Sequence, residues 1–124
     1  QLEHELSGMF DVAHGAGLAA IWASWARSVM DVNPKRFAQY AKNVMQVAEG
    51  KDDTETALAG IAATESFFKE IGMPTCIREL GISLSDAQIN ELSEKCTFFH
   101  TRTIGGFKKL DYEDIRQIYR KARS

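Results

Sequence analysis

The sequence predicts an all-α fold, a helical bundle, on three observations. Apolar residues recur at helical spacing between marked stops, helix-start signals precede those runs, and no alternating strand pattern of useful length occurs. At 124 residues and 44% hydrophobic composition the chain suits one domain with a modest core.

The run from Ala16 to Met30 is the first long helix, and its only polar side chains are Ser24, Arg27 and Ser28. A helix apolar nearly all round has to be buried nearly all round. Four or five short amphipathic helices can surround it, but Trp22 and Trp25 point in different directions and both need cover. Asn33 followed by Pro34 then has the order of a cap and a first helical residue, and Phe37, Tyr40, Ala41, Val44 and Ala48 form one face before Gly50. Asp52 with Glu55 opens a longer helix carrying Leu58, Ile61, Ala62, Phe68 and Ile71, closed by Gly72 and Pro74. A short turn, TCIRELG, ends at Gly81. Ser85 and Gln88 form a second capping pair before Ile89, Leu92, Cys96 and Phe99. The last helix starts at Asp111, with Asp114 three residues on, and buries Ile115, Ile118 and Tyr119, while Arg120, Lys121 and Arg123 suit its negative end. RTIGGF, with two glycines, is a loop or a frayed edge.

The formal charge is −2, from 15 basic and 17 acidic side chains, which supplies neither a footprint for nucleic acid nor a polybasic face for a membrane. The most apolar run, Ala16 to Ala26, is eleven residues, against about 20 needed to span a bilayer. No secretory signal pattern is present in these residues. Cys76 and Cys96 are too few for a disulfide framework and lack Cys-x-x-Cys spacing, so a cytoplasmic location and two small core thiols are expected. The first residue is Gln1 rather than methionine, and a processed chain or a piece of a longer one is expected.

Chemistry concentrates in HELSGMFDVAHGAGLAAIWASWA, residues 4–26. His14 precedes Gly15-Ala16-Gly17 at the start of the buried helix, where the positive helix end disfavours imidazolium. A neutral imidazole is what a divalent metal binds. Asp11, three residues earlier, is placed to hold the ring nitrogen facing away from a metal. His4 lies across the ELSGMFDVA segment, ten residues from His14 rather than the four that let one helix supply two ligands. A lone histidine ahead of a helix is ordinarily a satisfied, half-buried side chain. His100, beside Arg102, is read as solvated. Ser7, Asp11 and His14 have hydrolase residue types without a nucleophile-elbow pattern. Phe67-Phe68 and Phe98-Phe99 are read as core, since no basic residues interleave with them.

The same stretch closely resembles the metal-binding signature of the iron-containing alcohol dehydrogenases, in the branch of butanol dehydrogenases and related aldehyde reductases. NPKRFAQYAKNVM, FFKEIGMPTCIRELGI and LDYEDIRQIYRKA resemble that branch's helical C-terminal region in the same order. The resemblance implies that residues 1–124 are a partial, all-helical, metal-binding C-terminal domain, without the N-terminal dinucleotide-binding domain. It implies hydride transfer between a primary alcohol or aldehyde and NAD or NADP, a divalent metal, Fe2+ or Zn2+, and a homodimer as the expected assembly. His14 takes the place of the last metal ligand, and His4 that of the non-ligand histidine near the metal and nicotinamide, a catalytic and cofactor-contacting role. The family's other ligands are an aspartate and a histidine four apart on an earlier helix, and a histidine that would fall immediately before Gln1. Phe10, Gly15, Ala16 and Gly17 are expected on the pocket wall. The sequence departs from the pattern at Ala23, where relatives commonly carry proline. The expected partners are the enzyme's own N-terminal domain and a small alcohol or aldehyde, with no nucleic acid and no membrane, and the fragment alone is expected to be inactive. The alternative is a free-standing helical interaction module descended from the enzyme.

Overall fold

The computed structural model describes residues 1–105 and 107–124. Among them lie six α-helices: α1 (Leu2–Phe10), α2 (His14–Val29), α3 (Pro34–Asn43), α4 (Asp53–Glu70), α5 (Asp86–Cys96) and α6 (Tyr112–Ala122). Single 3-10 turns follow α2, at Met30–Val32, and precede α5, at Ile77–Leu80. The described residues contain no strand, and Ile104 and Leu110 form one isolated antiparallel bridge. RTIGGF is therefore a loop with one paired edge; Gly106 within it lies outside the described residues.

The expected caps are in place. The Asn33 side chain accepts the Arg36 N–H at 3.2 Å ahead of Pro34, and Asp52 accepts the Glu55 N–H at 2.8 Å. Ser85 with Gln88 and Asp111 with Asp114 form reciprocal capping boxes, each satisfying two donors that a helix start otherwise leaves open. Gly81 closes the turn before α5 with φ of 84°, a conformation open to glycine at little cost.

Helix α2 is shared by two cores. Ile21 and Val29 join Leu2, Leu6, Ile77, Ile89, Leu92, Ile115, Ile118 and Tyr119 from α1, α5, α6 and the turn before α5. Ala23, Ala26 and Met30 pack on Ala57 and Ile61 of α4, with Trp22, Trp25 and Phe37 alongside. Inside the first core, Ser24 Oγ donates to the Ile118 carbonyl at 2.6 Å, so a polar side chain of α2 is satisfied by α6. Cover is incomplete on one side. Leu18 is 48% exposed, and a groove of about 480 Å3 runs past Leu2, Leu18, Ile21, Trp22, Trp25 and Leu110.

Three expectations about packing are corrected. The third helix stops at Asn43 rather than near Gly50, because the chain turns back there: the Val47 N–H donates to the Ala41 carbonyl at 3.0 Å, Gln46 is left-handed at φ 55°, and Val44 is exposed. Helix α4 buries Thr56, Ala57, Gly60, Ile61 and Thr64, leaving Leu58, Ala62, Phe67 and Ile71 outside. The cause is the approach of α3: a Cβ on Gly60 would run into Ala41, whose Cα would lie 2.9 Å away, so only small residues fit the contact. The two threonines satisfy their hydroxyls on carbonyls one turn back, Thr56 at 3.0 Å and Thr64 at 2.9 Å. Finally, Phe98 and Phe99 are exposed, because Phe98, Phe99 and His100 all have positive φ, from 48° to 70°, and carry the chain off the α5 stripe. The Arg102 guanidinium sits 3.3 Å over the Phe98 ring, and His100 stacks on Tyr112 with centroids 4.1 Å apart.

Tyr119 ties the ends of the chain together. Its hydroxyl donates to the Leu2 carbonyl at 2.6 Å and lies 3.4 Å from Cys96 Sγ. Burial pushes the Cys96 thiol up to about 11 and the Tyr119 hydroxyl well above its ordinary range. Cys76, expected in the core, is half-buried instead, with its thiol 3.6 Å from Glu79.

Two outcomes follow from this packing. Alanine in place of a helical glycine ordinarily gains about 1 kcal/mol, but Gly60→Ala is expected to destabilise by ~1–2 kcal/mol through overpacking, read as a lowered urea midpoint. Because both buried hydroxyl and thiol are held neutral, their contribution is complete below the ordinary thiol value of 9.0 and is lost as pH rises towards 11. The melting temperature should therefore fall across that window, and the combined Cys96→Ala and Tyr119→Phe variant should show a flatter profile.

Candidate metal centre

The site is made at the corner between α1 and α2. Helix α1 ends at Asp11, left-handed at φ 53°, whose N–H donates to the Ser7 carbonyl at 2.7 Å. Extended Ala13 then starts α2 without a side-chain cap, and His14 is the first helical residue. The chain doubles back, so Gly17 of α2 lies against Glu3 of α1: a Cβ on Gly17 would sit 2.5 Å from Glu3 Oε1.

This return brings His4 and His14 together. Their ring centroids are 6.3 Å apart with planes at 85°, and both side chains are exposed. A third donor joins them. Ligand atoms of Glu3, His4 and His14 all lie within 4.8 Å of one another, and Glu3 is 3% exposed. His14 Nδ1 is hydrogen-bonded to Glu3 Oε2, so Nε2 is the ring nitrogen left open to a ligand. With both Glu3 oxygens engaged by Ser7 and His14, the ligand this corner offers a divalent metal is the outward nitrogen of His14, and an imidazole fits Fe2+ and Zn2+ alike.

The partner of His14 differs from the expectation. The inward ring nitrogen, assigned to Asp11 from sequence, is held by Glu3 instead, while Asp11 is exposed and terminates α1. A single left-handed residue at the corner turns the chain so that the first turn of α1, not its end, faces the imidazole. Nor do Ser7, Asp11 and His14 assemble as a triad, since Ser7 Oγ donates to Glu3 Oε1. Gly17, expected on a pocket wall, is buried behind Glu3. Sequence reasoning passes over Glu3, although it shares helical spacing with Leu6, Ser7 and Phe10 on a half-apolar helix, an unusual place for a carboxylate.

The described residues thus form an all-helical unit with an imidazole pair and a buried carboxylate at one helix corner. Residues 1–123 match the Fe-containing alcohol dehydrogenase family, C-terminal, and the chain belongs to that family. It is 30% identical over 98% of its length to NADH-dependent butanol dehydrogenase A of Clostridium acetobutylicum, and 32% identical over 98% to the NADPH-dependent aldehyde reductase YqhD of Escherichia coli. In each case it spans 31% of the relative's length. Among solved structures, NADH-dependent butanol dehydrogenase A from Thermotoga maritima superposes with a TM-score of 0.84 at 30% identity, over 99% of this chain and 32% of that one. The aldehyde reductase YqhD from Escherichia coli superposes at 0.86 and 31% identity, over 98% and 31%. No described helix is long and apolar enough to cross a membrane.

Proposed function

We propose that this chain is the C-terminal, metal-holding part of an alcohol dehydrogenase that interconverts primary alcohols and aldehydes with NAD(P)H. The observation that carries it is the placement of His14: first residue of α2, exposed, anchored from behind on a buried carboxylate and facing a second imidazole. Membership of the family supports the reaction class, and the names of the relatives support the substrate class.

In this function His14 donates Nε2 to an iron or zinc ion together with ligands from the rest of the polypeptide. The bound cation supplies Lewis acidity towards an alcohol or aldehyde oxygen. His4 stands beside that position as a proton carrier for the reacting oxygen and a polar contact for the nicotinamide. The uncovered groove along Leu18 and Trp22 is the face on which further chain, including a dinucleotide-binding domain, packs.

The test compares variants of the full-length polypeptide. His14→Ala should abolish stoichiometric metal and turnover together, whereas His4→Ala should keep the metal and lower kcat by ~10²–10⁴, the usual weight of a proton-transfer group. Metal content measured alongside NADH-dependent reduction of butanal separates the two. Full metal content in His14→Ala would remove the proposal.

The isolated 124-residue chain is a second check. It should show no NADH-dependent butanal reduction with added Fe2+ or Zn2+, since it carries no glycine-rich phosphate loop after a strand. Turnover by this piece alone would overturn the division of labour proposed here.

A further inference from the structure

We propose that Glu3 is the positioning residue for His14, and that Gly17 is the notch that admits it: the seated carboxylate fixes the ring with Nδ1–H inward and Nε2 outward. The inference rests on the role given to His14 above.

Both oxygens of Glu3 are committed. Oε1 accepts from Ser7 Oγ one turn along α1, and Oε2 accepts from His14 Nδ1 across the corner. Glu3 is almost fully buried while His14 is exposed, its side chain 65% accessible. An exposed imidazole on an uncapped helix start, met edge-on only by the exposed His4 ring, has little packing to select a rotamer or tautomer. The buried carboxyl group supplies both: its Oε2 is bonded to Nδ1, which fixes the ring's rotamer, and an oxygen accepting that bond keeps the proton on Nδ1 and Nε2 outward. A free imidazole has no such constraint, and its two tautomers exchange.

Space for the carboxylate comes from α2. A Cβ on Gly17 would lie 2.5 Å from Glu3 Oε1, 2.8 Å from Cγ and 3.0 Å from Cδ, so Glu3 and a side chain at position 17 cannot share the site. Within Gly15-Ala16-Gly17 the two glycines differ in kind: a Cβ on Gly15 would meet nothing within 4 Å. The buried glycine is therefore a requirement of the charge it faces. Leu2 adds a further restraint, since its carbonyl is held by Tyr119 and fixes the first turn of α1 from below.

The experiment is a double-mutant cycle in the full-length polypeptide on Glu3→Ala and Gly17→Ala, with Glu3→Gln as the conservative variant. Three readouts are taken: melting temperature, Zn2+ affinity by chelator competition, and the His14 tautomer by long-range 15N–1H NMR. Each single alanine variant should melt lower and bind Zn2+ about 10–100-fold more weakly, the usual loss when a ligand's supporting hydrogen bond is removed. In the double variant the methyl group added by Gly17→Ala enters the space vacated by Glu3, so melting temperature should recover while Zn2+ affinity stays low. Glu3→Gln keeps an acceptor oxygen for Nδ1–H and should retain most of the affinity and the Nδ1–H tautomer. Two results overturn the inference: unchanged tautomer and affinity in Glu3→Ala, or affinity that recovers with stability in the double variant, which would mark a packing role alone. Were wild-type Zn2+ binding independent of His14, the proposed function would fall, and the tautomer would still decide the brace, since it is read without metal.

Discussion

The burial of α2 is the constraint on which the rest depends. Sixteen residues that carry only a few polar side chains cannot stand in water, and α1, α4 and α6 pack on that surface directly, while α5 is held through α1 and α6 and α3 through α4. One side takes α1, α5 and α6, the other takes α4 with α3 behind it, so the two cores meet along a single helix. Two polar side chains of α2 are satisfied from outside, with Ser24 donating to α6 and Arg27 pairing with Glu65 of α4. The strip around Leu18 and Trp22 is what this arrangement leaves uncovered.

Rigidity at the start of α2 passes from that core to the candidate site. His14 is the first residue of a helix whose body is immobilised on two sides, and α1 is held by Leu2 and Leu6 in the core and by Tyr119 at its first carbonyl. A histidine in a loop would have to be ordered at the moment a ligand bound. Here the backbone cost of holding the ring is met by burial elsewhere, which is why a site on helix ends is more exact in its geometry than one on loops.

The local signals in the sequence were legible because they act over three or four residues. Asn33-Pro34, Asp52, Ser85 with Gln88 and Asp111 with Asp114 mark helix starts by hydrogen bonds that need no tertiary context, and the stripe Ile115, Ile118, Tyr119 shows its face by spacing alone. What escaped depends on contacts distant in sequence. The face of α4 is set by Gly60 against Ala41, where small residues outrank Leu58 and Ile71 because helix approach outweighs side-chain hydrophobicity. Phe99 reads as a continuation of the α5 stripe and Phe98 as core, yet a left-handed turn exposes both. His4 and His14 were legible as residues, by resemblance; their separation of 6.3 Å and the identity of the third group were not, since both depend on how sharply the chain turns at Asp11.

The contrast between Asp11 and Glu3 shows why nearness in sequence misleads at such a corner. Asp11 is three residues from His14 but lies on the connection, where the chain is exposed and a carboxylate can be solvated freely. A carboxylate in water competes with its hydration shell for any donor it meets, so an exposed partner holds an imidazole only loosely. Glu3 is eleven residues away and nearly without solvent, so its two oxygens have no alternative to Ser7 and His14. A buried charge that depends on named donors fixes them in return, since losing either leaves the carboxylate unpaired in a dry environment. The group best able to hold an exposed ring in one orientation is thus the one that itself has nowhere else to turn.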